Sequence, residues 1–192
     1  MNNLRSINNV VDSANLVMLE SGQPLHIFDY DILPEKKIVV RSAHAEEKMN
    51  ALYGQTLVLN SKDIVITSGE KIISLAGIIG DQATALKSST KNIFIECASF
   101  NPVTIRKTAK SLNISTTASH FFSRQTNLVL TPQQVLARVI SLIVETYQGD
   151  MDSGTFFPYQ KTEKKELTVA ISQEFITKKV GQVLPEQTIE RV

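Results

Sequence analysis

Apolar residues first recur at three- and four-residue spacing near the start of the chain, where Ile7, Val10, Val11, Ala14, Val17 and Met18 place one stripe on a helix beginning near Leu4. Gly22 and Pro24 end it. From Lys37 the period shortens. KIVVRSA, QTLVLN, DIVITS and KIISLAG are short and rich in β-branched residues, and turn signals at Asn50, Tyr53-Gly54, Asn60-Ser61 and Ser68-Gly69 separate them. They predict strands of a meander or mixed sheet. NIFIECA predicts a further strand, running into a helix that Asn101 caps, Pro102 opens and Leu112 closes. The plainest helix is 132–147: Thr131 caps it, Pro132 is first, Gln134 can close a capping box, and Gly149 stops it. Its stripe is Val135, Leu136, Val139, Ile140, Ile143 and Tyr147.

The order of these elements predicts a mixed α/β (α+β) fold, a central mixed or antiparallel sheet with flanking helices. Residues 149–166 combine Gly, Pro and a charge cluster, which suggests one domain over 1–150, a linker over 151–166 and the start of another domain over 167–192. The last part opens with a strand-like LTVAI, followed by two helix-like patterns, and reads as cut in mid-domain.

Composition narrows the function only by exclusion. Twenty Lys and Arg balance nineteen Asp and Glu for a net charge of +1, so no global basic field advertises nucleic acid and any RNA contact must be local. The single cysteine, Cys97, rules out a disulfide framework within the chain and suits a reducing, cytoplasmic setting. No apolar run approaches the ~18 residues of a membrane span, and the first residues lack a secretory core.

Candidate chemistry is sparse. His26, His44 and His120 never stand at a helical ligand-pair spacing with Asp29, Asp31, Asp81 or Glu96, so no metal site is expected. Asp29 and Asp31 read as turn formers or as ligands, and His44 and His120 as solvated loop residues. Glu96 differs, because NIFIE sets a carboxylate inside an apolar strand. It is either a site carboxylate or half of a buried structural ion pair. Ala76, Gly77 and Gly80 either admit close approach of a ligand or form a tight packing turn. Cys97 falls on the opposite strand face from Glu96, and serine–histidine or cysteine–histidine nucleophile motifs are absent.

Three stretches, GQPLHIFD at 22–29, SLAGIIG at 74–80 and NIFIECASFNP at 92–102, jointly resemble the editing region of the bacterial-type phenylalanyl-tRNA synthetase β subunit. The resemblance runs from about Asn3 to the helix near 147, with a fainter continuation after Leu167. It implies the third and fourth domains of that subunit with the start of the fifth, hence an excised fragment of a larger protein. It further implies hydrolysis of tyrosine wrongly esterified to the phenylalanine tRNA. Glu96 would receive the tyrosine hydroxyl with the Gly77 amide, Ala76 and Gly80 would shape the pocket, and His26 and Asn15 would position a water near the ester. The implied partners are the α subunit, in an assembly of two α and two β, and tRNA. ATP and magnesium are implied for activation by the parent ligase, a class II synthetase, with no cofactor in this part.

The chain departs from the family pattern at Ala14, where threonine is usual, and at Asp81, where a second glycine is usual and a carboxylate is expected beside the pocket mouth. It departs again across 116–127, where the family has an acidic residue at Thr117, arginine at Phe121, glutamate at Ser123 and glycine at Gln125. That last stretch reads as supporting fold and interface rather than chemistry. A non-enzymatic module of the β subunit is the alternative to an editing domain.

Overall fold

Asn8 decides where the first helix starts. Its side chain accepts from the Val11 amide, so α1 spans Asn9–Ser21 rather than beginning near Leu4, and Gly22 closes it in the left-handed region at φ 71°. The predicted stripe is correspondingly shorter, with Ala14, Val17 and Met18 buried and Ile7 exposed. The computed structural model describes residues 5–124, 126, 132–147 and 168–189. They fall into two units, Met1–Met151 and Asp152–Val192.

In the first unit the strands are β1 (His26–Asp29), β2 (Ile38–Ser42), β3 (Lys48–Asn50), β4 (Thr56–Val58), β5 (Ile64–Ser68), β6 (Lys71–Leu75), β7 (Ile79–Gly80) and β8 (Ile93–Glu96). The expected antiparallel sheet is the four-stranded β2-β5-β6-β7, and among the described residues two ribbons, β1-β8 and β3-β4, accompany it. Every pairing is antiparallel. The predicted strands contain β2, β4, β5, β6 and β8, whereas β1, β3 and β7 are too short to show a period of their own. Tyr53 (φ 73°) and Gly54 (φ 83°) turn the chain between β3 and β4 as their sequence signal anticipates.

Two helices follow β8. The predicted one, α2, spans Pro102–Ser111, with the Asn101 side chain accepting from the Val103 and Thr104 amides and Leu112 as its C-cap. The other, α3 (Thr117–Phe122), is a single short helix closed by a capping box between Thr116 and Ser119. Helix α4 spans Pro132–Tyr147 as predicted, while the cap assigned to Thr131 and the stop at Gly149 lie outside the described residues. The linker at 151–166 lies outside them too.

Burial divides the unit's core into three clusters. Ala14 and Val17 of α1 meet Val135 and Val139 of α4 over Ile27 of β1. Phe28 packs with Leu33, Ile66, Ile73 and Ala76. Under α2 and α3, Ile105 and Phe122 join Met49, Leu57, Leu59, Val65, Leu75 and Ile78. Helix α2 is also pinned by a polar contact: the buried Thr108 hydroxyl donates to Asp63 Oδ1 at 2.6 Å, while Asp63 Oδ2 accepts from the Asn60 amide and side chain. A buried carboxylate is stable there because donors meet both of its oxygens.

In the second unit α5 (Gln173–Val180) is capped by Ser172 and ended by Gly181 at φ 83°, and α6 spans Glu186–Ile189. Both helix-like patterns of the sequence are realised. Residues 168–171 of the expected strand take part in no pairing among the described residues. A strand needs a partner edge to satisfy its backbone, and a local apolar run does not supply one.

Because Asp63 holds three donors in the core, Asp63→Ala is expected to lower stability by about 2–4 kcal/mol and Thr108→Val by about 1 kcal/mol less. Urea unfolding of both variants measures this, and equal midpoints would refute the assigned network.

Candidate functional site

Pairing of β1 with β8 sets His26 directly opposite Glu96, Ile27 opposite Ile95 and Phe28 opposite Phe94. Side chains alternate across a strand, so one face of this ribbon carries Ile27, Ile93 and Ile95, with Cys97 beyond, against α1 and α4. The other face carries His26, Phe28, Phe94 and Glu96. The ring of His26 stands edge-on to Phe28 with centroids 4.4 Å apart, and Phe28 neighbours Phe94 at 6.2 Å. The cross-strand pair thus brings together the two titratable residues that the resemblance singles out, 70 positions apart.

Both open into one cleft, walled by Pro24, Leu25, Ser74, Ile78, Ala118 and Phe122, with Gly77 and Ile79. It is narrow, about 40 Å³, which suffices for water but not for a large ligand without movement of the wall. Glu96 as a whole is half-buried, yet its Oε2 is shut off from solvent and has no hydrogen-bond partner. The structural ion pair considered for Glu96 is therefore not formed. Burial lifts its carboxyl to about 7, and burial lowers the His26 imidazole to about 4. Burial thus favours the uncharged form of both groups.

Glycines make the space. A Cβ on Gly80 would lie 2.6 Å from His26 Cε1 and Nε2, so the absence of a side chain there seats the imidazole. Gly80 reaches that position by pairing with Ser74 across β6 and β7. Gly77 sits at φ 66°, and a Cβ there would approach Phe100 to 2.9 Å and Phe122 to 3.0 Å. These two rings form an edge-on pair with centroids 5.2 Å apart. The Gly77 amide donates to no described residue. Two contacts hold the rim. Gln23 Nε2 donates to the Ala98 and Pro24 carbonyls at 2.7 and 3.1 Å, locking the loop before His26 onto the end of β8. The Thr116 hydroxyl donates to the Ile78 carbonyl at 2.8 Å, locking α3 onto the turn after β6.

The remaining candidates lie elsewhere. Asn15 is half-buried on α1 and does not line the cleft, and Ala76 faces the cluster around Phe28 rather than the cleft. Ala14 is packed in the α1–α4 core. Asp81 is not at the mouth: it is buried, its Oδ1 accepts from the Ala83 amide, and Lys71 lies 3.9 Å away. A cap for the turn Gln82–Thr84 explains a carboxylate there better than an outward charge. Asp29 and Asp31 fulfil the turn reading, Asp29 accepting from the Asp31 amide and the Thr90 hydroxyl and Asp31 from Asn92. His44 and His120 are exposed, although His120 stands on α3 rather than in a loop. The Cys97 thiol is pushed up to about 12 by burial and by Glu96, which makes it inert.

The 116–127 stretch belongs partly to the site, contrary to its reading as a support alone. Ala118 and Phe122, four residues apart, present one face of α3 to the cleft. The signal was present in Thr116 and Ser119, whose spacing marks a helix start. Ser74 was also missed: an isolated serine in an apolar strand carries no motif, and its hydroxyl donates to the Ile79 carbonyl at 3.3 Å.

Fold and cleft together define a small α/β domain in which a carboxyl and an imidazole, both driven toward their neutral forms by burial, line one narrow cleft. Among the described residues no group of three or more His, Cys, Asp and Glu can hold a metal ion. A family described as the B3/4 domain matches residues 1–148, and the chain belongs to that family. Relatives named phenylalanine–tRNA ligase beta subunit bear out the resemblance. One from Geobacter metallireducens is 44% identical over 158 residues, covering 82% of this chain and 20% of that protein. One from Fusobacterium nucleatum is 39% identical over 195 residues (97% and 24%), and one from Protochlamydia amoebophila 35% over 191 residues (98% and 23%). The chain spans about a fifth to a quarter of the length of these relatives.

The two shifted groups oppose each other in the pH dependence of stability. Between its ordinary value of 4.5 and about 7, Glu96 is protonated only in the folded protein, so it removes stability as pH rises through that window. Between its ordinary value of 6.5 and about 4, His26 is protonated only in the unfolded chain, so it removes stability as pH falls. Each is worth about 3 kcal/mol over its full window, and they cancel where the windows overlap. Relative to the unmodified protein, Glu96→Gln should lose stability on acidification from pH 6.5 to 4.5, and His26→Gln should lose it on going back up. Chemical denaturation across that range measures both, and profiles parallel to the unmodified protein would reject the burial of these groups. Gly80→Ala should be destabilised by about 1–3 kcal/mol, because its methyl displaces the imidazole.

Proposed function

We propose that this chain is the proofreading part of a phenylalanine–tRNA ligase β subunit and serves protein biosynthesis by hydrolysing tyrosine wrongly esterified to the phenylalanine tRNA. The observation that carries the reading is that Glu96, whose Oε2 is enclosed and has no hydrogen-bond partner among the described residues, lines the same cleft as His26. A phenol hydroxyl entering the cleft would donate to that oxygen. A phenylalanyl ring would fill the same space with no donor and leave the buried acceptor unpaired, and sites of this kind discriminate by about 10⁴–10⁵. Correct product is thereby spared.

In this reading His26 works as an uncharged acceptor. Its imidazole takes a hydrogen bond from a water and orients it toward the ester carbonyl carbon, and the Gly77 amide supplies a donor to the bound amino acid. The water oxygen bonds to that carbon, the bond to the ribose oxygen breaks, and the water's proton ends on the ribose hydroxyl. Neither a covalent intermediate nor a metal takes part in these steps. Asn15 would act from outside the cleft, at the terminal ribose, and Ala76 through the packing behind Gly77. The parent would be a class II ligase of two α and two β subunits in the cytoplasm. ATP and magnesium would serve activation in the α subunit.

The narrowness of the cleft favours a second reading, a structural module of the β subunit that supports α-subunit docking and tRNA binding with editing lost. Cleavage of tyrosyl-tRNA(Phe) by the assembled αβ enzyme separates the two. Glu96→Ala and His26→Ala are each expected to slow cleavage about 10- to 100-fold without changing phenylalanine charging. Unchanged cleavage in Glu96→Ala would remove Glu96 as the phenol acceptor, and an inactive unmodified enzyme would leave the scaffold reading.

A further inference from the structure

The near-zero net charge of this chain conceals a segregation. From Glu96 to Glu145 no Asp or Glu intervenes, while Arg106, Lys107, Lys110, Arg124 and Arg138 all fall in that interval. Arg138 is neutralised by Glu20 at 3.1 Å. Three of the others, Arg106, Lys110 and Arg124, line a second cleft between α2 and α3 together with Asn113, Ser115 and His120. It is open and wide, about 370 Å³, and no carboxylate lines it. None of its three cations has a carboxylate partner among the described residues.

The donors are held in place. Arg106 Nη2 donates to the Ser123 carbonyl at 2.7 Å, which ties α2 to the end of α3. Arg124 Nη1 lies 2.9 Å from His120 Nδ1, and since a guanidinium only donates, Nδ1 is the acceptor of that contact. The Ser119 and Ser123 hydroxyls on the same wall already donate to the Thr116 and His120 carbonyls, so the groups left for a ligand are the guanidinium and ammonium N–H donors. This is a concave set of N–H donors whose positive charge meets no carboxylate among the described residues, the chemistry that receives phosphate oxygens.

Helix α3 is the wall shared by the two clefts: Ala118 and Phe122 face Glu96, and Ser119, His120 and Ser123 face the cations. A helix is only about 10 Å thick. We propose that the α2–α3 cleft binds the phosphodiester backbone of the RNA strand whose esterified end enters the Glu96 cleft, an inference that rests on the ester-hydrolysis reading of that cleft. The shared wall favours an RNA strand over an acidic peptide, which would have no reason to lie beside an ester site.

Fluorescence anisotropy of the full chain with a short labelled RNA lacking any amino acid tests this apart from hydrolysis. Lys110→Gln/Arg124→Gln should weaken binding about 25-fold at 0.1 M salt and lower the slope of log K against log salt by about 1.4. Lys48→Gln/Lys62→Gln, which removes two exposed lysines elsewhere, should change neither. An undetectable affinity in the unmodified chain, an equal loss in the control pair, or competition by polyglutamate as strong as by unlabelled RNA would overturn the proposal. Were Glu96→Ala to abolish tyrosyl-ester cleavage while Lys110→Gln/Arg124→Gln bound RNA normally, the ester reading would stand and this inference alone would fall.

Discussion

The antiparallel pairing of His26–Asp29 with Ile93–Glu96 is the constraint from which the rest of the site follows. It joins two short segments separated by the whole four-stranded sheet, and it gives the ribbon two faces of opposite character. One is aliphatic and seats α1 and α4 through Ala14, Val17, Val135 and Val139. The other is aromatic and titratable, and it closes on the sheet. A slip of one residue would exchange these faces, driving Glu96 into the α1–α4 core and Cys97 into the cleft. Register is therefore enforced by the aliphatic packing on one side, and the chemistry of the other side inherits its precision.

That enclosure explains the electrostatics. His26 and Glu96 stand in cross-strand positions where an ion pair would be natural, yet burial pushes each toward its neutral form. The pair is consequently suited to hydrogen bonding with a neutral polar group rather than to binding an ion. Gly80 provides the seat for the imidazole, and Gly77 makes room for the Phe100–Phe122 pair while leaving its own amide uncommitted. Glycine does two jobs within four residues, by admitting a ring at one position and a left-handed backbone at the other.

Helix α3 shows how little secondary structure a composite site needs. Its six residues are stabilised at the start by Thr116 and Ser119 and anchored to the Ile78 carbonyl, so its direction is set by side chains from outside the helix. Being thin, it turns apolar residues to the buried cleft and polar ones to the basic cleft. Across 116–123 this chain places Thr, Phe and Ser, and positive charge at the basic cleft comes from α2 and Arg124. The proposed ester and phosphate sites could share one wall because one needs a dry surface and the other a wet one.

What the sequence determined by itself were the elements with local instructions: α2 from Asn101 and Pro102, α4 from its long stripe, and the β-branched strands of the sheet with the turn at Tyr53-Gly54. It also carried Glu96 as an anomaly, a carboxylate in an apolar strand, and the family resemblance with it. What only the tertiary structure decided was everything that depends on a distant partner. HIFD becomes a strand because β8 satisfies its backbone, and Gly80 matters because His26 lies over it. Residues 168–171 of LTVAI, equally apolar, find no such partner among the described residues. Local sequence encodes propensity and capping, which act over a few residues. The cleft is made of hydrogen bonds and contacts between residues tens of positions apart, whose pairing no local pattern specifies.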